Sequence, residues 1–240
     1  MKIAKEIFKT ARREGRSFVL EHEAKKIMQA YEIPVPEFST AATADNAIEE
    51  SQKIGYPVVL KILSKDVLHK SDAGGVKINL NSDDEVREAF DKIMENAKAY
   101  GEEQGVDIDL SRGVFISDFA EEGTEVIIGV TEDPQFGHAL MFGLGGIFVE
   151  VLKDVTFRLI PLMEVDAREM VREIKASKIL DGVRGEPPRD VDALVEVIMA
   201  VSKMVEENPE ISELDCNPTF VYEAGKGATV VDARILIEKD

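Results

Sequence analysis

The sequence predicts an α+β protein of two lobes, divided near residue 115. Three observations carry that expectation. Residues 2–101 read as helices with two short strands among them, whereas residues from 112 onward are dominated by strand patterns. No internal repeat, low-complexity tract or long linker appears anywhere along the chain. With 44% of 240 residues hydrophobic, there is enough apolar material for a sizeable core in each half.

Each element follows from its local pattern. KIAKEIFKTARRE (2–14) puts Ile3, Ile7 and Phe8 on one face of a short amphipathic helix. LEHEAKKIMQAYEI (20–33) predicts a second helix, ended by Pro34 and Pro36 because proline lacks the N–H a helix needs. His22, between Glu21 and Glu23, reads as a surface or capping residue. TADNAIEESQKIG (43–55) predicts a helix stopped at Gly55. YPVVLKIL (56–63) reads as a buried strand and GVKINL (75–80) as its hairpin partner. SDDEVREAFDKIMENAKAYG (82–101) opens on a Ser-x-x-Glu capping box and closes on Gly101.

In the second half, strands are expected at 112–120, 124–133, 138–146, 147–162 and 228–238, with helices at about 166–180 and 190–207. Glu132-Asp133-Pro134 and the glycines at 143–146 read as hairpin turns. Residues 211–235 read as strand, loop, strand around Ala-Gly-Lys-Gly at 224–227. The expected divisions are an N-terminal helix at 1–18, a first lobe at 19–115 and a second at 116–240, with a cleft between lobes as the place for a ligand.

A net charge of −18 argues against a nucleic-acid binder, since a phosphate backbone demands a basic face. It leaves room for a nucleotide, which needs only a few local cations. One cysteine, Cys216, excludes an internal disulfide and a cysteine-rich zinc site. With no signal peptide and no run of about 18 apolar residues, the expectation is a cytoplasmic protein that does not engage a membrane.

LHKSDAGGVKINL (68–80) sets a histidine, a lysine and a glycine pair at the mouth of a strand. Three readings stand: a solvated hairpin loop, an anion cradle in which His69 only donates a hydrogen bond, or a loop whose imidazole is a nucleophile that carries a phosphoryl group. Lys61, in an otherwise apolar strand, either snorkels to an edge or reaches a buried anion. Gly74 and Gly75 favour the anion, because glycine frees backbone N–H groups to surround phosphate oxygens while Lys61 and Lys77 supply charge.

A second group is Asp215, Asn217 and Asp232. If adjacent antiparallel strands join them, Asn217 and Asp232 offer the few oxygen ligands that suit Mg²⁺. The plainer reading is a turn asparagine before Pro218 and a solvated aspartate. Alternation along the strand puts Glu213, Asp215 and Asn217 on one face, where Asp215 is able to accept the second N–H of an imidazole. Glu125 breaks another apolar strand and faces either a ribose or solvent, and His138 reads as structural.

LEHEAKKIMQAYEIPVP, YPVVLKILSKDVLHKSDAGGVKINL, EGTEVIIGVTEDPQFGHALMFGLGG and ELDCNP…VVDAR occur together and in this order, over nearly all of the chain. In them the sequence resembles the β subunit of ADP-forming acetyl-CoA synthetases, ATP-grasp proteins related to the succinyl-CoA synthetase β chain. The resemblance implies an ATP-grasp fold with the nucleotide between two lobes and His69 as a phosphoryl carrier. Lys61 and the Gly74–Gly75 backbone then hold nucleotide phosphates. Ser117, Asp118, Phe119 and Ala120 form the hinge that meets adenine, with Glu125 near the ribose. Gly143, Gly145 and Gly146 form a second loop near the phosphates. Asn217 and Asp232 match magnesium ligands, and Asp215 matches the acidic residue that contacts the phosphohistidine.

The implied reaction is acyl-CoA + ADP + phosphate ⇌ acid + ATP + CoA, with Mg²⁺ as cofactor. Nothing in the sequence resembles a CoA-binding Rossmann unit, so the resemblance implies a separate CoA-binding α subunit in an α2β2 assembly. Two other readings are a stand-alone ATP-grasp carboxylate ligase and a non-catalytic nucleotide-binding regulatory subunit. His69 together with Asp215 argues against both.

Overall fold

Helix faces and strand alternation place the elements of the chain, whose computed structural model describes residues 2–67, 69–146, 149, 151–183 and 185–238. It divides into two compact units: a larger one of Met1–Val19, Glu23–Val35 and Glu121–Asp240, and a smaller one of Leu20–His22 and Pro36–Ala120.

The smaller unit holds β1 (Phe38–Ala41), α3 (Ala44–Ile54), β2 (Val58–Ile62), β3 (Val76–Leu80), α4 (Asp83–Gln104) and β4 (Val114–Asp118). Its antiparallel sheet has the order β1-β4-β2-β3. The expected β2–β3 hairpin is present, while β1 escapes the pattern because FSTA is short and half polar. It is secured by pairing with β4 and by Phe38 stacking on Phe115 at 5.6 Å. Helix α3 starts where Thr43 Oγ1 accepts the Asn46 N–H at 3.3 Å and ends at Gly55.

Helix α4 starts on Ser82, whose Oγ accepts the Glu85 N–H. The Glu85 carboxylate accepts in return from Asn81 N–H, one residue ahead of the cap, at 2.8 Å. The helix does not close on Gly101. It ends at Gly105, which takes the left-handed conformation at φ 68°. Gly101 is buried within the helix, where a Cβ would lie 2.7 Å from the Val106 carbonyl oxygen. Glycine there lets the returning chain pack, and Val86, Phe90 and Ile93 of α4 cover Leu60 and Ile62.

The larger unit contains β5 (Thr124–Asp133), β6 (Gly137–Leu144), β7 (Val155–Leu159), α5 (Glu164–Glu173), α6 (Val191–Glu207), β8 (Ile211–Val221), β9 (Ala228–Val230) and β10 (Ala233–Ile237). Strands run in the order β10-β8-β5-β6-β7, with β9 beside β8. Helix α1 (Lys2–Arg13) does not form a separate segment, and α2 (Glu21–Ala30) belongs to the first lobe, as expected, only at Glu21 and His22, the rest of it to the larger unit. Their apolar faces (Phe8 and Ala11, Ile27 and Met28) are fully buried in the core that also holds Ile128, Phe142 and Leu214. An amphipathic helix goes where its stripe finds apolar cover. The division also falls after Ala120 rather than after residue 115.

Three further expectations change. Of the strand expected over 147–162, only Val155–Leu159 is a strand among the described residues; Ile147, Phe148 and Glu150 lie outside them. The glycines at 143–146 do not make a hairpin turn, since β6 continues through Gly143, which pairs with Val155. The helix expected over 166–180 stops at Glu173, because the buried Asp154 carboxylate accepts the N–H groups of Lys175 and Ala176 at 2.9 and 2.8 Å.

Asp190 ties α6 to the Ala-Gly-Lys-Gly turn. Its Oδ1 accepts from Ala193 N–H at 3.1 Å, and its Oδ2 accepts from Gly225 and Gly227 N–H, each at 2.9 Å. The Gly227 amide foremost, with those of Ala193 and Gly225, holds this carboxyl below the ordinary aspartate range. Asp190→Ala should cost about 1–2 kcal/mol, as loss of a helix cap does. A group with a lowered folded pKa contributes stability that is present above its unfolded value and lost as pH falls through the folded one. Denaturant melts of both proteins should therefore differ at neutral pH and converge below about pH 4. A gap unchanged by acid would mean that the carboxylate charge contributes nothing.

Candidate active site

The β2–β3 loop of the smaller unit presents His69 with an exposed side chain. Its backbone is closed on itself. Ala73 N–H donates to His69 O at 3.3 Å, Gly74 N–H to Ser71 O at 3.0 Å and Gly75 N–H to Lys70 O at 2.8 Å. Both glycine N–H groups, expected to surround phosphate, are engaged within the loop in this structure. The glycines serve closeness instead. A Cβ at Gly74, which has φ +60°, would lie 2.7 Å from Asn96 Nδ2, and one at Gly75 would lie 2.5 Å from Ile62 Cγ2. Asn96 Nδ2 donates to Gly74 O at 2.9 Å and completes the brace.

Lys61 neither snorkels to open solvent nor stands unpaired. Its Nζ donates to Glu21 Oε1 at 2.7 Å and lies 5.8 Å from the centre of the Phe115 ring. Lys70 Nζ donates to the other oxygen, Glu21 Oε2, at 2.6 Å. The Glu21 side chain is 1% exposed. Lys77 does not join this cluster. It pairs with the buried Leu60, one residue from Lys61, and directly paired residues share a sheet face that their neighbours along the strand do not. Lys77 instead borders a surface hollow with Glu85 and Lys92 of α4.

At the end of β4, Ser117 is buried and pairs with Phe38 and Val59. Asp118 is exposed, and its N–H donates to Glu37 O at 2.9 Å. Phe119 N–H donates to Pro57 O at 3.1 Å. Ala120 is the last residue before the chain enters the larger unit.

In the larger unit, β8 alternates as expected. Leu214 and Cys216 are buried in the core, while Glu213 and Asn217 are exposed and Asp215 is half-buried. Asp215 pairs across the sheet with Gly129 and Arg234. With Glu213, Ile127, Met141 and Phe157 it lines a cavity of about 280 Å³. Burial first, then the charges of Asp232 and Glu213, push the Asp215 carboxyl above its ordinary value, and Arg234 partly offsets them. Burial, followed by Asp215 and Asp232, also pushes the Cys216 thiol up, so it is no thiolate at neutral pH.

Asn217 N–H donates to Asp232 O at 3.2 Å, so the backbone joins the two candidate metal ligands. Asp232 sits between β9 and β10 rather than inside a strand as expected, and its Oδ1 accepts Ala233 N–H at 2.9 Å. Among the described residues no group of three or more His, Cys, Asp or Glu side chains is placed to hold a metal. One amide oxygen and one carboxylate, beside a second carboxylate that is already strained by like charge, fit a hard cation that takes its remaining ligands from water and phosphate.

Glu125 is exposed near the start of β5, and Gly145 N–H donates to its carbonyl at 2.8 Å. A Cβ at Gly145 would come within 2.9 Å of Glu125 Cβ, so Gly145 fits where a larger residue would not. Gly146, at φ +59°, follows it. His138 is structural: its Nε2 lies 2.6 Å from Ile211 O. His22 is half-buried near the start of α2. Nothing in the sequence singles out Glu21 and Lys70, since a glutamate at a helix start is ordinarily only a favourable charge for the helix dipole.

Residues 10–237 match the ATP-grasp domain family. The sequence is 53% identical over 234 residues to subunit beta of Acetate–CoA ligase [ADP-forming] I of Pyrococcus furiosus, covering 98% of this chain and 97% of that protein. It is 51% identical over 226 residues to the corresponding subunit of ligase II of the same organism, covering 94% of each. Among solved structures, a Ca. Korarchaeum cryptofilum dinucleotide-forming acetyl-coenzyme A synthetase 1 superimposes with a TM-score of 0.84 at 43% identity, over 98% of this chain and 100% of that one. That structure is in complex with coenzyme A and Mg-AMPPCP, its phosphohistidine segment pointing towards the nucleotide binding site. A match of this identity over nearly the whole of both chains places the protein in the ATP-grasp family and, within it, among the β subunits of ADP-forming acetate–CoA ligases.

Proposed function

We propose that this chain is the nucleotide-binding subunit of an ADP-forming acyl-CoA synthetase, working with a separate CoA-binding α subunit in an α2β2 assembly. The observation that carries this reading is an exposed histidine on a loop braced from behind by Gly74, Gly75 and Asn96, in a chain that matches such subunits over nearly its full length. A surface loop of plain solvating function has no need of that brace.

In this reading His69 carries the phosphoryl group delivered from the α side. Its P–N bond breaks as a terminal oxygen of ADP forms the new P–O bond, and the electron pair returns to the ring nitrogen. Lys61 receives the nucleotide phosphates, and its partner Glu21 holds the ammonium in place on its strand. Asp215 supplies the carboxylate that stabilises a cationic phosphorylated imidazole. Asn217 and Asp232 hold Mg²⁺, which when bound offsets phosphate charge. Ser117, Asp118, Phe119 and Ala120 border adenine. The N–H groups of Asp118 and Phe119 are engaged within the smaller unit, which directs base recognition to other groups of this segment. Glu125 lies towards the ribose.

His69→Ala in the complex reconstituted with the α subunit should leave ADP affinity close to wild type and abolish ATP synthesis. The loss should exceed the roughly 10²–10⁴-fold expected for a general acid–base residue, because a covalent acceptor is gone. Wild type incubated with labelled Mg-ATP should carry acid-labile, base-stable phosphate on this chain. An unlabelled wild type, or an alanine variant that still makes ATP at a comparable rate, would return His69 to an ordinary loop residue.

Asn217→Ala and Asp232→Ala should each weaken Mg-ADP binding without unfolding the chain, as each removes one oxygen ligand. Calorimetry with Mg-ADP and with metal-free ADP separates a metal effect from a nucleotide effect. Equal affinities for both variants and wild type would reduce the pair to a strand asparagine and a connecting aspartate with no metal role.

A further inference from the structure

The Glu21 carboxylate is shared. One oxygen takes Lys61, on a strand of the sheet, at 2.7 Å; the other takes Lys70, on the His69 loop, at 2.6 Å. The side chains of Glu21, Lys61 and Lys70 are 1%, 12% and 25% exposed. The discount that applies to solvated ion pairs is therefore small for this one. A carboxylate withdrawn so far from water needs its cations, and removing one leaves a costly group behind. Lys70 is also the backbone pivot of the loop, because its carbonyl accepts Gly75 N–H at 2.8 Å and Gly75 O in turn accepts Ile62 N–H at 2.7 Å. The residue that follows His69 is thus fixed twice, by its main chain to the glycine brace and by its side chain to Glu21.

We propose that Glu21 is a positioning residue for phosphoryl transfer: by holding Lys70 beside Lys61, it parks the base of the His69 loop next to the lysine that receives nucleotide phosphate. The inference rests on the reading of His69 as carrier and Lys61 as phosphate lysine. If Glu21 only neutralised Lys61, a second lysine from the loop would be superfluous. A histidine on a loop free to drift spends less time within reach of the in-line geometry that the transfer requires.

The test is Lys70→Gln in the full complex, which releases the loop and leaves Glu21 and Lys61 paired; Lys70→Arg keeps a cation of sufficient reach. Hydrogen exchange at Ala73, Gly74 and Gly75, whose amides close the loop, should quicken about tenfold or more in Lys70→Gln, as expected for losing a hydrogen bond between charged groups. Labelling of His69 from Mg-ATP should slow several-fold while KM for ADP stays within about twofold, and Lys70→Arg should restore both. Exchange and labelling identical to wild type in Lys70→Gln would overturn the proposal and leave Glu21 as a counter-ion of Lys61. Failure of the carrier reading has a different signature. Wild type would then carry no label, while the exchange comparison would still decide whether Glu21 holds the loop.

Discussion

Strand β8 is the constraint on which the larger unit depends. It pairs with β5 on one side and with β10 and β9 on the other, so Glu213 and Asp215 sit in ladders on both edges, while Asn217 falls in the irregularity between Cys216 and Thr219. Its two faces are forced apart by the pleat. Leu214 and Cys216 enter the core, which leaves Glu213, Asp215 and Asn217 no choice but the opposite face. Glu213 and Asp215 are thereby held in register on a paired strand, and slipping it by one residue would turn both carboxylates into the core. Gly129, opposite Asp215 on β5, adds no side chain there, and the cavity beside the carboxylate is the result.

The smaller unit solves a different problem. A loop that is to present a histidine needs a fixed base and an exposed tip. Here the base is built from contacts that only glycine permits, against Ile62 and Asn96, and from the lysine–glutamate pairs. The cost falls on Glu21, whose carboxylate leaves water almost completely and is repaid by two ammonium groups. The candidate site residues are thereby divided between units: His69, Lys61 and Glu21 in one, Asp215, Asn217 and Asp232 in the other.

Much of this was legible in the sequence, and the parts that were not share a cause. Strand β5 is read to the residue because alternation and the Asp133-Pro134 turn agree, and α3 because Thr43 and Gly55 mark its ends. The β8 face follows from period two alone. What local pattern does not contain is the partner. Helices α1 and α2 are recognisable from their stripes, yet nothing local says that the larger unit's core covers them. Gly101 looks like a helix stop until the chain returning at Val106 is seen against it. The break after α5 is made by Asp154, about twenty residues earlier, and no window of sequence joins the two.

The same limit explains the glycine pair. From sequence, Gly74 and Gly75 offer bare amides, and an anion is the natural recipient. Once folded, those amides are consumed by Ser71 and Lys70, and the missing side chains become the useful property. Charge at this locus comes from lysine side chains, and both of them point at one buried glutamate that lies about forty residues away from the nearer of the two. The Lys61 ammonium is held in place on its strand by the Glu21 carboxylate, to which it donates. The loop lysine draws on the other oxygen of the same carboxylate, so the strand that would bind the nucleotide and the loop that would deliver the phosphoryl group are held by a single acidic side chain.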